Sequence, residues 1–200
     1  MTGLRERKKE QTRRRIAGVA SKLFAERGFD AVTVNEIAEA AEIAKATLFT
    51  YFPTKESLAL EGVGEENLAG VVTGRPPGQS PLEALLTHYR AFAGAPVAPQ
   101  DRDALVTKIR VIFDSAALSG AANRLLYGQR QALAQVLADE HGETAAVLMA
   151  TQITSSLLAV QEFFFHRLAG GASLEEASRE LAANVELAFE LLANGLEKGH

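Results

Sequence analysis

Residues 33–58, Thr33-Val-Asn-Glu-Ile-Ala-Glu-Ala-Ala-Glu-Ile-Ala-Lys-Ala-Thr-Leu-Phe-Thr-Tyr-Phe-Pro-Thr-Lys-Glu-Ser-Leu58, decide the fold. Thr33 and Glu36 have the Thr-x-x-Glu spacing of a capping box, which satisfies two backbone donors at a helix N-terminus. Val32 before the cap and Ile37 after it complete a hydrophobic staple. Ile37, Ala38 and Ala41 then make a helix of about two turns. Ile43 packs in the corner before a second short helix carrying Lys45, Thr47, Leu48 and Phe49. Two short helices at an angle, the second offering basic and small polar groups, match a helix-turn-helix. Pro53 cannot donate to the preceding turn, and Thr54 caps a further helix starting at Lys55.

The run Lys45-Ala-Thr-Leu-Phe-Thr-Tyr-Phe-Pro-Thr-Lys-Glu-Ser-Leu58 resembles the DNA-binding domain of the TetR family of transcriptional regulators. It follows that family's order of lysine, small residue, threonine, hydrophobic, aromatic, two variable positions, Phe-Pro-Ser/Thr-Lys-Glu and leucine. The likeness covers roughly residues 8–60; beyond them the chain matches the family in length and helicity alone. It implies an all-α protein with an N-terminal three-helix DNA-binding domain, residues 1–54, and an effector-binding and dimerisation domain, residues 55–200. The implied function is a homodimeric repressor on a palindromic DNA operator, relieved by a small molecule and needing no cofactor. Basic groups of the N-terminal arm, Thr33, Lys45, Tyr51 and Lys55 would hold phosphates, and Lys45, Thr47 and Thr50 would face base edges. Three positions depart from the pattern. Glu42 stands where glycine is common, Ala44 replaces the usual Ser/Thr cap, and Phe49 lacks a tyrosine hydroxyl.

Charge is divided along the chain in the same sense. The net charge is −4, yet residues 1–60 carry 11 Lys/Arg against 8 Asp/Glu, a net of +3, and residues 61–200 carry 10 against 17, a net of −7. Seven basic groups (Arg5, Arg7, Lys8, Lys9, Arg13, Arg14, Arg15) fall in the first fifteen residues. A basic head on an acidic body suits a polyanion partner; a solvated terminus is the bland reading of the same run. The absence of cysteine removes disulfides and thiol chemistry and suits a reducing compartment. The charged N-terminus shows no signal peptide, and no run of about 18 uncharged apolar residues appears, so a cytoplasmic protein without a membrane span is expected.

The apolar spacing is helical throughout. Ile16, Val19, Ala20, Leu23 and Phe24 form one stripe of a first helix over residues 8–27, ended by Gly28. Phe24, Phe29, Ile37, Leu48 and Phe52 are the expected small core. A connecting helix from Lys55 carries Leu58, Leu60 and Val63 towards Gly70. Residues 73–81 hold three prolines and two glycines and form a break, after which Ser80-Pro81 caps the next helix. Further breaks are expected at residues 94–99, at Ser119-Gly120 as a kink or short turn, at His141-Gly142 and at Gly170-Gly171. Ser173 and Glu176 form another capping box ahead of a final helix to Leu196. The last two helices are apolar over more than one stripe, which suggests a second buried face and a dimer.

Catalytic constellations are not evident. The Glu-x-x-His spacing needed on two helices for a di-metal site occurs at Glu197–His200 alone, and Glu162 with His166 reads as an ordinary helix pair. No metal or catalytic residue is assigned, and the chain is read as not an enzyme. The competing classes are an all-α interaction module without DNA binding and a helical-bundle enzyme. For a mainly apolar effector, the resemblance puts a pocket among the central helices. His88, Phe92, Arg110, Phe113, Asn123, Tyr127, Gln152 and Ser156 are its candidate lining, though each also reads as a core, interhelical or surface residue.

Overall fold

Ile16, Ala20 and Phe24 recur at helical spacing on one side of α1 (Leu4–Arg27), and their burial holds the first helix in place. In this computed structural model the described residues are 3–63, 66–95 and 101–195, and they form ten helices and no strand. The all-α expectation holds among them. Helix α1 begins at Leu4 rather than Lys8, with the Glu6 carboxylate accepting the Gly3 N–H at 3.1 Å. Gly28, at φ +80°, ends it.

Helices α2 (Val34–Ala40) and α3 (Lys45–Tyr51) follow, then α4 (Lys55–Ala59), capped by Thr54. One long connecting helix is not what forms next. The chain turns at Leu60, whose side chain is buried, and passes through Gly62 at φ +78°. Helix α5 (Leu68–Thr73) starts afresh at Asn67, whose side chain accepts the Gly70 N–H at 2.8 Å. A left-handed glycine and a new cap outweigh the continuous apolar spacing.

The remaining helices are α6 (Pro81–Ala93), α7 (Asp101–Phe113), α8 (Ala116–His141), α9 (Glu143–Ala169) and α10 (Leu174–Asn194). The kink or short turn expected at Ser119-Gly120 is absent, since α8 runs through it. The break lies at Asp114-Ser115, where the buried Ser115 hydroxyl accepts the Leu118 N–H at 3.4 Å and donates to Asp30 at 3.3 Å. Residues 96–100 of the expected break, Leu196 and the Glu197–His200 pair lie outside the described residues.

Two compact units result: Met1–Glu65 with Thr107–Asn123, and Glu66–Val106 with Arg124–His200. The division therefore differs from a cut at residues 54/55. Helix α4 belongs to the first unit because Leu58, Ala59 and Leu60 join its core, together with Leu118 and Ala121 from α8. All five expected core residues, Phe24, Phe29, Ile37, Leu48 and Phe52, are buried there. In the second unit α9 packs on α10, α10 on α6 and α6 on α5, around Leu85, Tyr89, Leu133, Leu137, Leu157 and Val185. By length and composition α9 matches a membrane span, with mean hydropathy 1.3 over its most apolar window. Ile153, Leu157, Val160, Phe164 and Leu168 nevertheless place one face of it in this core.

Candidate nucleic-acid interface

The α2–turn–α3 segment is fixed mainly by local chemistry. The Glu36 carboxylate accepts the Thr33 N–H at 2.8 Å and the Thr33 hydroxyl at 2.7 Å, while Thr33 Oγ1 accepts the Glu36 N–H at 3.3 Å. Arg27, in the last turn of α1, donates to the same carboxylate at 2.8 Å and to the Ala31 carbonyl at 3.1 Å. These hydrogen bonds, those from Thr33 foremost, hold the Glu36 carboxyl down at about 2. Val32 and Ile37 are fully buried, as a staple requires. Glu42 takes the left-handed turn position at φ +53°, a strain on the order of 1 kcal/mol for a residue with a Cβ.

Helix α3 buries Leu48 completely and exposes Lys45, Ala46, Thr47, Phe49 and Thr50. One apolar anchor below and a row of exposed groups above is the arrangement a groove-reading helix needs. Among the described residues Lys45 and Thr47 make no side-chain hydrogen bond or ion pair, so their donors face solvent. Thr50 donates to its own helix, to the Ala46 carbonyl at 3.1 Å, which leaves its oxygen as an acceptor. Ala44 has the extended backbone of an N-cap and no capping oxygen.

Thr33, Tyr51 and Lys55 sit differently from the exposed row. The Thr33 hydroxyl proton goes to Glu36. Tyr51 is half-buried, and its carbonyl accepts from Arg13 at 3.2 Å. Lys55 folds back, its ammonium donating to the Phe29 and Val32 carbonyls at 2.9 Å each and lying 4.0 Å from the Phe29 ring centroid. Arg13 was unremarkable among seven basic residues in the sequence. Its partners lie 38 and 48 positions away, so no local spacing announces them.

The eight candidate effector residues are divided between the two units. Arg110, Phe113 and Asn123 belong to the first unit, and His88, Phe92, Tyr127, Gln152 and Ser156 to the second. Phe92, Phe113 and Tyr127 are half-exposed or more, and Arg110, Asn123 and Gln152 are exposed; His88 and Ser156 are partly buried. A cavity of about 120 Å³ does lie in the first unit, lined by Ser21, Phe24, Leu58, Glu61, Thr107 and Lys108 among others. None of the eight lines it. No group of three metal-ligating side chains occurs among the described residues.

Comparison with known proteins places this segment. Residues 16–61 match the family model of bacterial regulatory proteins, tetR family. The chain is 37% identical over 94 residues to the HTH-type transcriptional regulator TcmR of Streptomyces glaucescens, which covers 46% of this chain and 42% of that one. It thus spans less than half of TcmR. The HTH-type transcriptional repressor KstR of Rhodococcus jostii is 27% identical over 92% of this chain and 83% of its own length. Among solved structures, NalD, the secondary repressor of the MexAB-OprM multidrug efflux pump in Pseudomonas aeruginosa, shares the fold at TM-score 0.59, with 18% identity over 96% of this chain and all of NalD.

Proposed function

We propose that the chain, whose residues 16–61 match the family model of bacterial regulatory proteins, tetR family, is a sequence-specific DNA-binding transcriptional regulator of that kind, a homodimeric repressor of a palindromic operator. The observation that carries this reading is α3 itself, with Leu48 buried and Lys45, Thr47 and Thr50 exposed on a seven-residue helix in a braced frame. Lys45 donates to a phosphate or to a guanine edge, Thr47 to a base acceptor, and Thr50 accepts from a base amino group. Phe49, 39% exposed, offers an apolar face to a thymine methyl rather than a hydroxyl to a phosphate. Tyr51 reaches a phosphate from the rim of the site. Lys55 has spent two of its three donors on carbonyls, leaving one for a phosphate oxygen. Thr33 is assigned to capping, because an ionised Glu36 takes its proton.

Exposed cations of α1, from Arg7 to Arg15, supply the sequence-independent attraction, and such binding weakens steeply with salt. A DNA partner places the protein in the cytoplasm. A small-molecule effector follows from the family premise, and the aromatic candidates favour a mainly apolar one. The 120 Å³ cavity falls below the few hundred Å³ typical of such sites.

Enrichment of random duplexes on the wild-type protein is expected to yield an inverted repeat whose half-sites lie about 34 Å apart. K45A/T47A is expected to retain salt-sensitive binding and lose the repeat. Equal selection by the double variant removes α3 from base reading. Binding that is indifferent to both salt and sequence would favour the interaction-module reading.

A further inference from the structure

Arg13 joins three elements of the first unit. From α1 its Nε lies 2.7 Å from the Glu61 carboxylate, beyond the end of α4, and its terminal nitrogen donates to the Tyr51 carbonyl at 3.2 Å, at the end of α3. The guanidinium also stacks 4.5 Å from the centroid of the buried Phe52 ring. Its side chain is 35% exposed and that of Glu61 is 24%, so both are partly withdrawn from water. The Glu61 backbone is anchored in turn, its carbonyl accepting from the Lys108 ammonium.

The contact falls where α3 is weakest. Seven residues are too few for a helix stable on its own, which takes roughly 12–15 in water. Ala44 gives the N-terminus no side-chain cap. The last carbonyls of a helix lack intrahelical donors, and a cation there also meets the negative end of the helix dipole. Arg13 supplies both at Tyr51, and Glu61 fixes where Arg13 can stand. With Leu48 buried in the middle of α3, this contact ties the C-terminal end of the helix to α1.

We propose that Arg13 and Glu61 form a specificity latch: Arg13 is a positioning residue for the DNA-reading helix rather than a phosphate ligand, and Glu61 acts through it. The inference rests on the DNA-binding reading above. It makes a prediction opposite in sign to simple electrostatics. Removing an acidic charge from a DNA-binding unit ordinarily tightens binding, whereas here it should loosen operator binding.

The test uses full-length wild type, R13Q, E61Q, R13Q/E61Q and E10Q, with the selected operator and a scrambled duplex titrated over a range of salt. For E61Q, operator affinity is expected to fall about tenfold, with scrambled-duplex affinity unchanged or raised. R13Q should show the same loss of operator binding without the reduction of about one in the salt slope that a lost phosphate contact gives. The double variant should be no worse than R13Q, because the two residues act as one unit. E10Q removes an acid from the same helix without touching α3 and should bind at least as tightly as wild type. Hydrogen exchange in the free protein supplies a readout independent of DNA. The Phe52 amide, bonded to the Leu48 carbonyl at 2.9 Å, should exchange faster in E61Q at unchanged melting temperature. Should E61Q not fold, R13K keeps the charge but can satisfy one acceptor at a time, and should lose operator affinity with the slope intact. E61Q or R13K binding the operator as tightly as wild type overturns the latch, as does R13Q with a slope reduced by one or E61Q with unchanged exchange at Phe52. A wild-type protein that selects no sequence instead sinks the DNA reading, and exchange at Phe52 still decides the latch.

Discussion

Glu36 does the work of three residues at the mouth of the helix-turn-helix. Its carboxylate closes the capping box with Thr33 and ties the end of α1 to α2 through Arg27. Hydrogen bonds to Thr33, then to Arg27, stabilise the ionised form and lower its folded pKa from 4.5 to about 2. The sign follows from linkage. A carboxyl whose folded pKa is depressed contributes stability that is present above the unfolded value and lost as pH falls through the folded one. E36Q is therefore expected to be less stable than wild type at neutral pH, with the gap closing between pH 4.5 and about 2. Urea unfolding of both proteins across that range checks it, and a pH-independent gap would assign Glu36 a purely steric role. Arg27 and Glu36 are close in sequence, so the sequence exposes most of this cluster. Arg13 and Glu61 are not, and nothing in residues 8–15 marks one arginine as different from its neighbours.

Among the elements, α3 combines a length of seven residues with an N-terminus that no side chain caps. Ala44 sits at φ −68° and ψ 143°, the backbone that a capping serine adopts; its carbonyl accepts the Thr47 N–H at 2.9 Å, but it has no side-chain oxygen to cap the helix. A44S is expected to stabilise the protein by about 1 kcal/mol, read as a higher denaturation midpoint at unchanged m-value. If α3 is docked on DNA as proposed, operator affinity should be maintained or improved, since less ordering is left to binding. Equal midpoints would mean that the α3 N-terminus is already satisfied by water. The same physics explains what was legible in the sequence. Caps act over three residues, so Thr33/Glu36, Thr54, Ser80-Pro81 and Ser173/Glu176 all stand where their spacing puts them. The helix stops were less legible. Leu60 and Val63 continue an apolar spacing that Gly62 interrupts through its backbone alone, and Ser115 caps α8 through contacts that include Asp30, 85 residues away. Long-range partners of this kind also decide which side chains meet in a cavity. Type and helix position, by which the eight effector candidates were chosen, carry no such information.

For the whole molecule, α9 and α10 carry the decisive surface. Each contributes to the second unit's core, yet Leu148 and Phe163 of α9 remain 60% and 61% exposed, and Leu187 and Leu191 of α10 remain 50% and 38% exposed. At 100° per residue Leu148, Ala159 and Phe163 fall within one face of α9, and Leu187 and Leu191 share a face of α10. Helices of 27 and 21 residues extend about 40 and 30 Å, long enough for a four-helix bundle with a second copy. The proposed homodimer therefore buries these four side chains, and its symmetry makes every substitution count twice. A glutamate at Leu148 or Phe163 sets two carboxylates against an apolar seam, a desolvation cost of several kcal/mol per ion. Sedimentation of wild type at micromolar concentration is expected to give a dimer, and L148E and F163E a monomer with unchanged helical content. L125E, altering a residue of α8 that is 42% exposed, should remain dimeric. Operator binding should follow the assembly state. Linking two half-site contacts makes the second intramolecular and raises overall affinity by 10²–10⁴ on the order expected for tethered modules. The monomeric variants should thus lose roughly that factor on the inverted repeat while keeping wild-type affinity for a single half-site. A monomeric wild type, or an F163E that stays dimeric and binds the repeat normally, would move the dimer interface away from these two helices.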